Sequence, residues 1–203
     1  MAGLICIVIS YLIGSISFSY LIAKKIKKVD IRQHGSGNAG ATNTLRVLGV
    51  GPAIAVLLLD CAKGIAAVLL GIVLTSDPLI AAASGLASIV GHNWPVFFGF
   101  RGGKGVATTV GVLATLVFTA ALISGIIAII TIVITRFVSL GSLIFIVGTS
   151  IISVVFSPQL AYPSYYLYFL VAISLLSIWR HRTNIERLLK GEESRIGQKA
   201  TSK

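Results

Sequence analysis

The chain has 203 residues, 56% of them hydrophobic and only 11% charged, with a formal net charge of +11. A mean hydropathy of +0.96 excludes a soluble globular domain and points to an integral membrane protein. In that class an excess of Lys and Arg marks the cytoplasmic face, so no nucleic-acid partner is expected. The length suits one membrane-embedded domain over residues 1–193, all-α, with residues 194–203 as a disordered tail.

Residues 1–23 carry no charge, and the lysines follow them. This predicts an uncleaved first helix with its N-terminus outside and its C-terminal end in the cytoplasm. Residues 24–51 then form a cytoplasmic loop. It opens with Lys24, Lys25, Lys27, Lys28 and Arg32, continues with Gly35-Ser-Gly-Asn-Ala-Gly-Ala-Thr-Asn43, and reaches Arg46. Glycines allow backbone N–H groups to approach a ligand, and Ser36, Asn38, Thr42 and Asn43 add side-chain donors and acceptors. Beside cations, such an island suits a phosphate or another oxyanion; a plain flexible connector is the alternative. The pattern Gly35-x-Gly37-x-x-Gly40 is not a dinucleotide fingerprint, because an apolar span and lysines precede it instead of a strand.

A second span over Pro52–Thr75 contains Asp60 and Lys63, three residues apart on one helix face. Intramembrane charges usually pair and face the bundle interior, so this pair either fixes packing or faces substrate. Asp77-Pro78 is an outer turn. The third span, Leu79–Phe98, returns to the cytoplasm, with His92 near its end and Pro95 placed to stop it. Next comes a second polar island, Gly99-Phe-Arg-Gly-Gly-Lys-Gly105. Its glycine and lysine positions do not match a Walker A loop. A tight glycine loop with two cations still suits phosphate, about as well as it suits a helix connector.

Residues 105–135 are uncharged, and so are 137–179, which are broken at Ser157-Pro158 and Tyr162-Pro163. The second block reads as spans over 138–156 and 163–179. Keeping Lys104, Arg136 and the basic tail from Arg180 on one side requires residues 105–135 to cross an even number of times. They are read as two short helices of about 14–15 residues breaking near Thr119–Gly125, against the roughly 20 needed to span. The result is a polytopic bundle of seven transmembrane helices, N-terminus outside and C-terminus cytoplasmic. Every Lys and Arg except Lys63 then lies on the cytoplasmic face.

In the tail, His181, Asn184 and Leu188 share a helical stripe. The plain alternative is an amphipathic helix lying on anionic lipid. Cys6 and Cys61 sit in apolar stretches and read as small core residues. His34, His92 and His181 show no zinc spacing, so neither metal nor other cofactor is expected.

Three islands on one face, Ser36–Asn43, Gly91–Thr108 and His181-x-x-Asn184-x-x-Arg187-Leu188-x-x-Gly191, together resemble the bacterial acyl-phosphate:glycerol-3-phosphate acyltransferase family over residues 3–193. The Arg136–Ser142 stretch resembles that family as well. The resemblance implies acyl transfer from a long-chain acyl phosphate to the 1-hydroxyl of glycerol 3-phosphate, giving lysophosphatidic acid and phosphate for phospholipid synthesis. It implies a multi-pass protein of the bacterial inner membrane, active on the cytoplasmic side, contacting membrane lipids, with no metal, cofactor or obligate protein partner. By the same resemblance Ser36, Arg46, His181 and Asn184 carry activity. Gly37, Asn38, Thr42, Asn43, His92, Gly102, Gly103, Lys104, Gly105 and Ser142 bind substrate. A transporter of an organophosphate anion is the competing reading, since interior charges and broken helices also mark transporters. It fits less well because no inverted repeat is visible and the motifs gather on one face.

Overall fold

The computed structural model describes residues 1–197, and they are all-helical, with no strand among them. The α-helices are α1 (Ala2–Gly14), α2 (Phe18–Lys27), α3 (Ala41–Leu48), α4 (Val50–Thr75), α5 (Pro78–Asn93), α6 (Val106–Leu116), α7 (Phe118–Thr135), α8 (Val138–Val155), α9 (Ser157–Leu160), α10 (Tyr166–Arg180) and α11 (Arg182–Leu189). Four stretches are long and apolar enough to cross a membrane: Ala2–Lys27, Val50–Thr75, Phe118–Thr135 and Val138–Val155. Many of their apolar side chains stay exposed, Val73 and Ile134 each by 75%, as a lipid-facing surface requires.

The helix boundaries correct the sequence reading in four places. The first helix is not continuous, because it breaks at Ser15–Ser17, where the Ser15 hydroxyl donates to the Tyr11 carbonyl. The segment 24–51 is not a plain loop, because α2 runs on through the lysines and α3 forms after the first island. α5 ends at Asn93, since the residue before Pro95 is pushed out of the helical region. The block 105–135 breaks at Val117 instead of 119–125, giving one short helix and one of 18 residues. No glycine or proline marks that break, so the sequence carries no signal for it.

The described residues divide into two compact units, 1–112 and 113–197. In the first, α1, α4 and α5 pack on one another through backbones brought together by glycine. A Cβ on Gly14 would collide with the Ser88 carbonyl, and one on Gly91 with the Tyr11 carbonyl. Gly64 lies against the Thr108 carbonyl, and Gly111 against that of Cys61, which draws the start of α6 onto α4. Small residues at crossings are the usual solution in lipid, where no hydrophobic force drives helices together.

In the second unit α8 packs on α7 and α10, and Ser150 bonds Ser174 at 2.8 Å across the α8–α10 pair. The tail is fastened by Glu193. Its Oε1 accepts from Ser139 Oγ at 2.7 Å and from Asn184 Nδ2 at 2.6 Å, and its Oε2 accepts from Arg187 Nε at 2.7 Å. Residues 194–197, expected in a disordered tail, continue this attachment through the Ile196 N–H, which donates to the Arg136 carbonyl. The rest of that expected tail, 198–203, lies outside the described residues.

Burial pushes the Glu193 carboxyl up, but the hydrogen bonds from Ser139, Asn184 and Arg187 outweigh it and hold the group below the usual glutamate range. A depressed folded-state value means stability that is complete above the unfolded-state value and lost as pH falls through the folded one. The tail is therefore expected to stay fastened at neutral pH and to loosen in acid, below the ordinary glutamate range. Replacing Glu193 with Gln keeps an acceptor but removes the charge, and should cost about 1–3 kcal/mol. Tryptic cleavage after Arg182 and Arg187 in lipid nanodiscs should be faster in that variant than in the parent. Equal cleavage rates would contradict the clamp.

Candidate functional site

The first glycine island is built by its neighbours in the chain. Asp30 accepts from the Arg32 N–H and so starts a turn of 3-10 helix over Ile31–Gln33. The Arg32 guanidinium forks onto the same carboxylate, 2.7 Å at the closest, and donates to the Phe98 carbonyl, also at 2.7 Å. It stands 5.0 Å from the Tyr20 ring, which in turn meets Phe98. Arg32 therefore ties the first island to the turn that opens the second.

Asn43 acts inside the first island. Its Nδ2 donates to the carbonyls of Ile31 and His34, and its Oδ1 accepts the Ser36 N–H at 2.8 Å. With only 1% of its surface exposed, it holds the loop's shape. Gly35 has φ +60°, and a Cβ there would collide with the Asn43 amide oxygen, so glycine is required. Around this core Ser36 and Gly37 are exposed, and Asn38, Thr42 and Arg46 half-buried, with Arg46 in the last turn of α3.

The second island folds back on the end of α5. The Gly103 N–H donates to the His92 carbonyl at 3.2 Å. A Cβ on Gly102 would collide with the same carbonyl, and one on Gly103 with His92 Nε2 and the Ala39 carbonyl. Gly105 turns the chain into α6 with φ +78°, and a Cβ there would stand 2.9 Å from the Asn93 amide oxygen. Lys104 is half-buried between these two buried glycines. The two islands thus meet at Ala39 and Gly103, above His92.

Beneath that junction lies the intramembrane pair. Lys63 Nζ is 2.8 Å from Asp60 Oδ1, 2.9 Å from the Ile16 carbonyl and 2.9 Å from His92 Nδ1. The break between α1 and α2 supplies the Ile16 carbonyl. All three side chains are nearly inaccessible.

The second unit holds the other expected residues. His181, 2% exposed, has Nδ1 at 2.9 Å from the Ser177 carbonyl. A carbonyl only accepts, so Nδ1 carries the proton, and in the neutral ring Nε2 is the nitrogen able to take one. Asn184 is held by Glu193. The Ser142 hydroxyl donates to the Val138 carbonyl at 2.8 Å, a helical back-bond, while Ser139 reaches Glu193. Sequence reasoning missed Arg32 as an organiser of the first unit's islands, and Glu193 and Ser139 as organisers of the third motif. A charge at the very end of the expected domain and a serine in an apolar helix give no periodic signal.

The cationic glycine islands of the first unit suit oxyanions, and the second unit by itself holds a buried histidine of the type used in proton transfer. Comparison with known proteins agrees. The sequence profile described as glycerol-3-phosphate acyltransferase matches residues 4–191. A glycerol-3-phosphate acyltransferase of Halalkalibacterium halodurans is 61% identical over 199 residues, 97% of each chain. One of Thermoanaerobacter pseudethanolicus is 45% identical over the full length of both. Among solved structures, the glycerol 3-phosphate form of PlsY (YgiH), an integral membrane glycerol 3-phosphate acyltransferase, is 40% identical with a TM-score of 0.89, covering 97% of this chain and 96% of that one. A lysophosphatidic acid form of PlsY is 38% identical with a TM-score of 0.86 and the same coverage. With a matching profile over nearly its whole length and curated relatives this similar, the chain belongs to the glycerol-3-phosphate acyltransferase family.

Proposed function

We propose that the protein transfers a fatty acyl group from acyl phosphate to the 1-hydroxyl of glycerol 3-phosphate, giving lysophosphatidic acid and inorganic phosphate. The observation that carries this reading is the Gly102–Gly105 loop, where Lys104 stands in backbone that admits no side chain against α5. That loop receives the phosphate of glycerol 3-phosphate, with Arg46, Ser36 and the half-buried Asn38 and Thr42 of the first island offering further donors. The hydroxyl oxygen attacks the acyl carbon and forms the ester C–O bond. The bond from that carbon to the phosphate oxygen breaks, and phosphate leaves with its electron pair. The hydroxyl proton passes to a phosphate oxygen of the bound substrates. Acyl phosphate is already activated, so positioning and charge stabilisation supply most of the rate. His181 and Asn184, the latter oriented by Glu193, belong to the third motif and carry activity by likeness to the family. Support also comes from the relatives, since the similar PlsY structures are a glycerol 3-phosphate form and a lysophosphatidic acid form. A transporter reading has no comparable support.

The same reading takes the chain to cross the inner membrane of a bacterium seven times, its site facing the cytoplasm. Single cysteines in a cysteine-free background test this. Lys25→Cys and Lys190→Cys should be shielded from an impermeant thiol reagent in intact cells, and Ser76→Cys and Gln159→Cys should react. Labelling at position 25 from outside would overturn the topology.

Purified protein given glycerol 3-phosphate should form lysophosphatidate with palmitoyl phosphate and not with palmitoyl-CoA, at a rate unchanged by EDTA. Robust transfer from the CoA thioester would overturn the donor assignment.

Removing a desolvated charge partner from a bound phosphate costs about 2–4 kcal/mol, roughly thirty- to thousandfold. Lys104→Ala should raise KM for glycerol 3-phosphate by that order, and Gly103→Ala, whose Cβ displaces His92 and the Ala39 backbone, by at least as much, with KM for palmitoyl phosphate little changed. Normal kinetics in both variants would mean that the loop is not the glycerol 3-phosphate site.

A further inference from the structure

Asp60 and Lys63 are placed where they act on the site without touching it. An ammonium has three hydrogens and accepts nothing. Around Lys63 Nζ stand three acceptors at bonding distance: Asp60 Oδ1, the Ile16 carbonyl and His92 Nδ1. The Ile16 carbonyl takes one ammonium hydrogen, and the Asp60 carboxylate holds the ammonium as an ion pair. Another hydrogen faces Nδ1 at 2.9 Å, and since an ammonium only donates, Nδ1 must present a lone pair. Asp60 Oδ1 is 3.6 Å from the same nitrogen, too far to take a proton from it in a hydrogen bond. A neutral imidazole with a lone pair on Nδ1 carries its proton on Nε2. Nε2 is the atom that crowds the Cβ position of Gly103, next to the Ala39 carbonyl.

We propose that Asp60 and Lys63 are positioning residues for acyl transfer: they fix His92 as the Nε2–H tautomer and so present a hydrogen-bond donor to the junction of the two glycine islands. Asp60 aims the ammonium, Lys63 sets the proton on the imidazole, and the imidazole N–H holds the backbone around Ala39 and Gly103 in the shape that receives a phosphate. His92 then works as a donor and not as a base. His181 is the reverse, with its proton on Nδ1 against the Ser177 carbonyl. The two buried histidines carry opposite tautomers.

This inference rests on the reading of the Gly102–Gly105 loop as the glycerol 3-phosphate site, and the test separates the two. Histidine labelled with 15N is incorporated into the full chain in nanodiscs, and ring signals are assigned from single-histidine variants. At neutral pH His92 should show its one-bond N–H correlation at Nε2, and His181 at Nδ1. Protonation of His92 at Nδ1 in the parent protein would overturn the proposal, whatever the kinetics.

The variant Asp60→Asn/Lys63→Met removes both charges together and strands neither. It should lose the fixed tautomer and raise KM for glycerol 3-phosphate about tenfold, the scale of one hydrogen bond. KM for palmitoyl phosphate should stay near the parent value. Lys63→Arg keeps a donor-only cation and should retain both the tautomer and the glycerol 3-phosphate KM. A double variant with an unchanged glycerol 3-phosphate KM, or with both KM values and kcat degraded alike, would overturn the positioning role. If Lys104→Ala also leaves the glycerol 3-phosphate KM untouched, the site reading fails, while the tautomer measurement still stands.

Discussion

No side-chain carbon fits between the loop at Gly102–Gly103 and the end of α5, and the organisation of the first unit follows from that approach. It lets the Gly103 N–H reach the His92 carbonyl, sets Lys104 at the junction, and brings Ala39 of the first island to the same point. The contact needs α5 to stop at Asn93, which Trp94-Pro95 ensures, and it needs α5 to be firmly placed. Gly14 and Gly91 provide the placement by letting α1 and α5 touch backbone to backbone. Glycine is thus used twice, once to pack helices and once to shape a binding surface, and neither use tolerates a methyl group.

The buried charges look costly but are well matched. A lone ammonium at this depth would be expelled or would lose its proton, and removing one member of a buried pair typically costs about 3–5 kcal/mol. Lys63 avoids this with three acceptors, one of them the carbonyl that the kink after α1 releases from helical bonding. The kink is therefore not a packing flaw. An unbroken helix through Ile16 would leave the ammonium one acceptor short.

Much of this was legible in the sequence. Hydropathy marked the membrane class and the long spans Val50–Thr75 and Val138–Val155, because an apolar run about 20 residues long matches the thickness of a bilayer core. The glycine islands stood out as polar interruptions, and Ser36, Arg46, Lys104, His181 and Asn184 lay in them or in the tail motif. Their neighbours were harder to read. Asn43 looks like a ligand donor in sequence, yet spends its amide on Ile31, His34 and Ser36. Ser142 and Ser139 are indistinguishable by type, and only their helix phase decides that one back-bonds and the other meets Glu193. The break at Val117 has no local residue to announce it.

The Ser139–Glu193 bond joins residues 54 apart, with α8, α9, α10 and α11 between them. A chain made from its N-terminus enters the bilayer helix by helix, so Ser139 is delivered before the carboxylate that bonds it. Until then the hydrogen bonds that Ser139, Asn184 and Arg187 give to that carboxylate are unmade. Closure of this part of the molecule is thus a late event in biogenesis, governed by a carboxylate beyond the last helix. A nascent chain halted after Leu189 would hold the histidine and the asparagine of the third motif, but not the arrangement that makes them a motif.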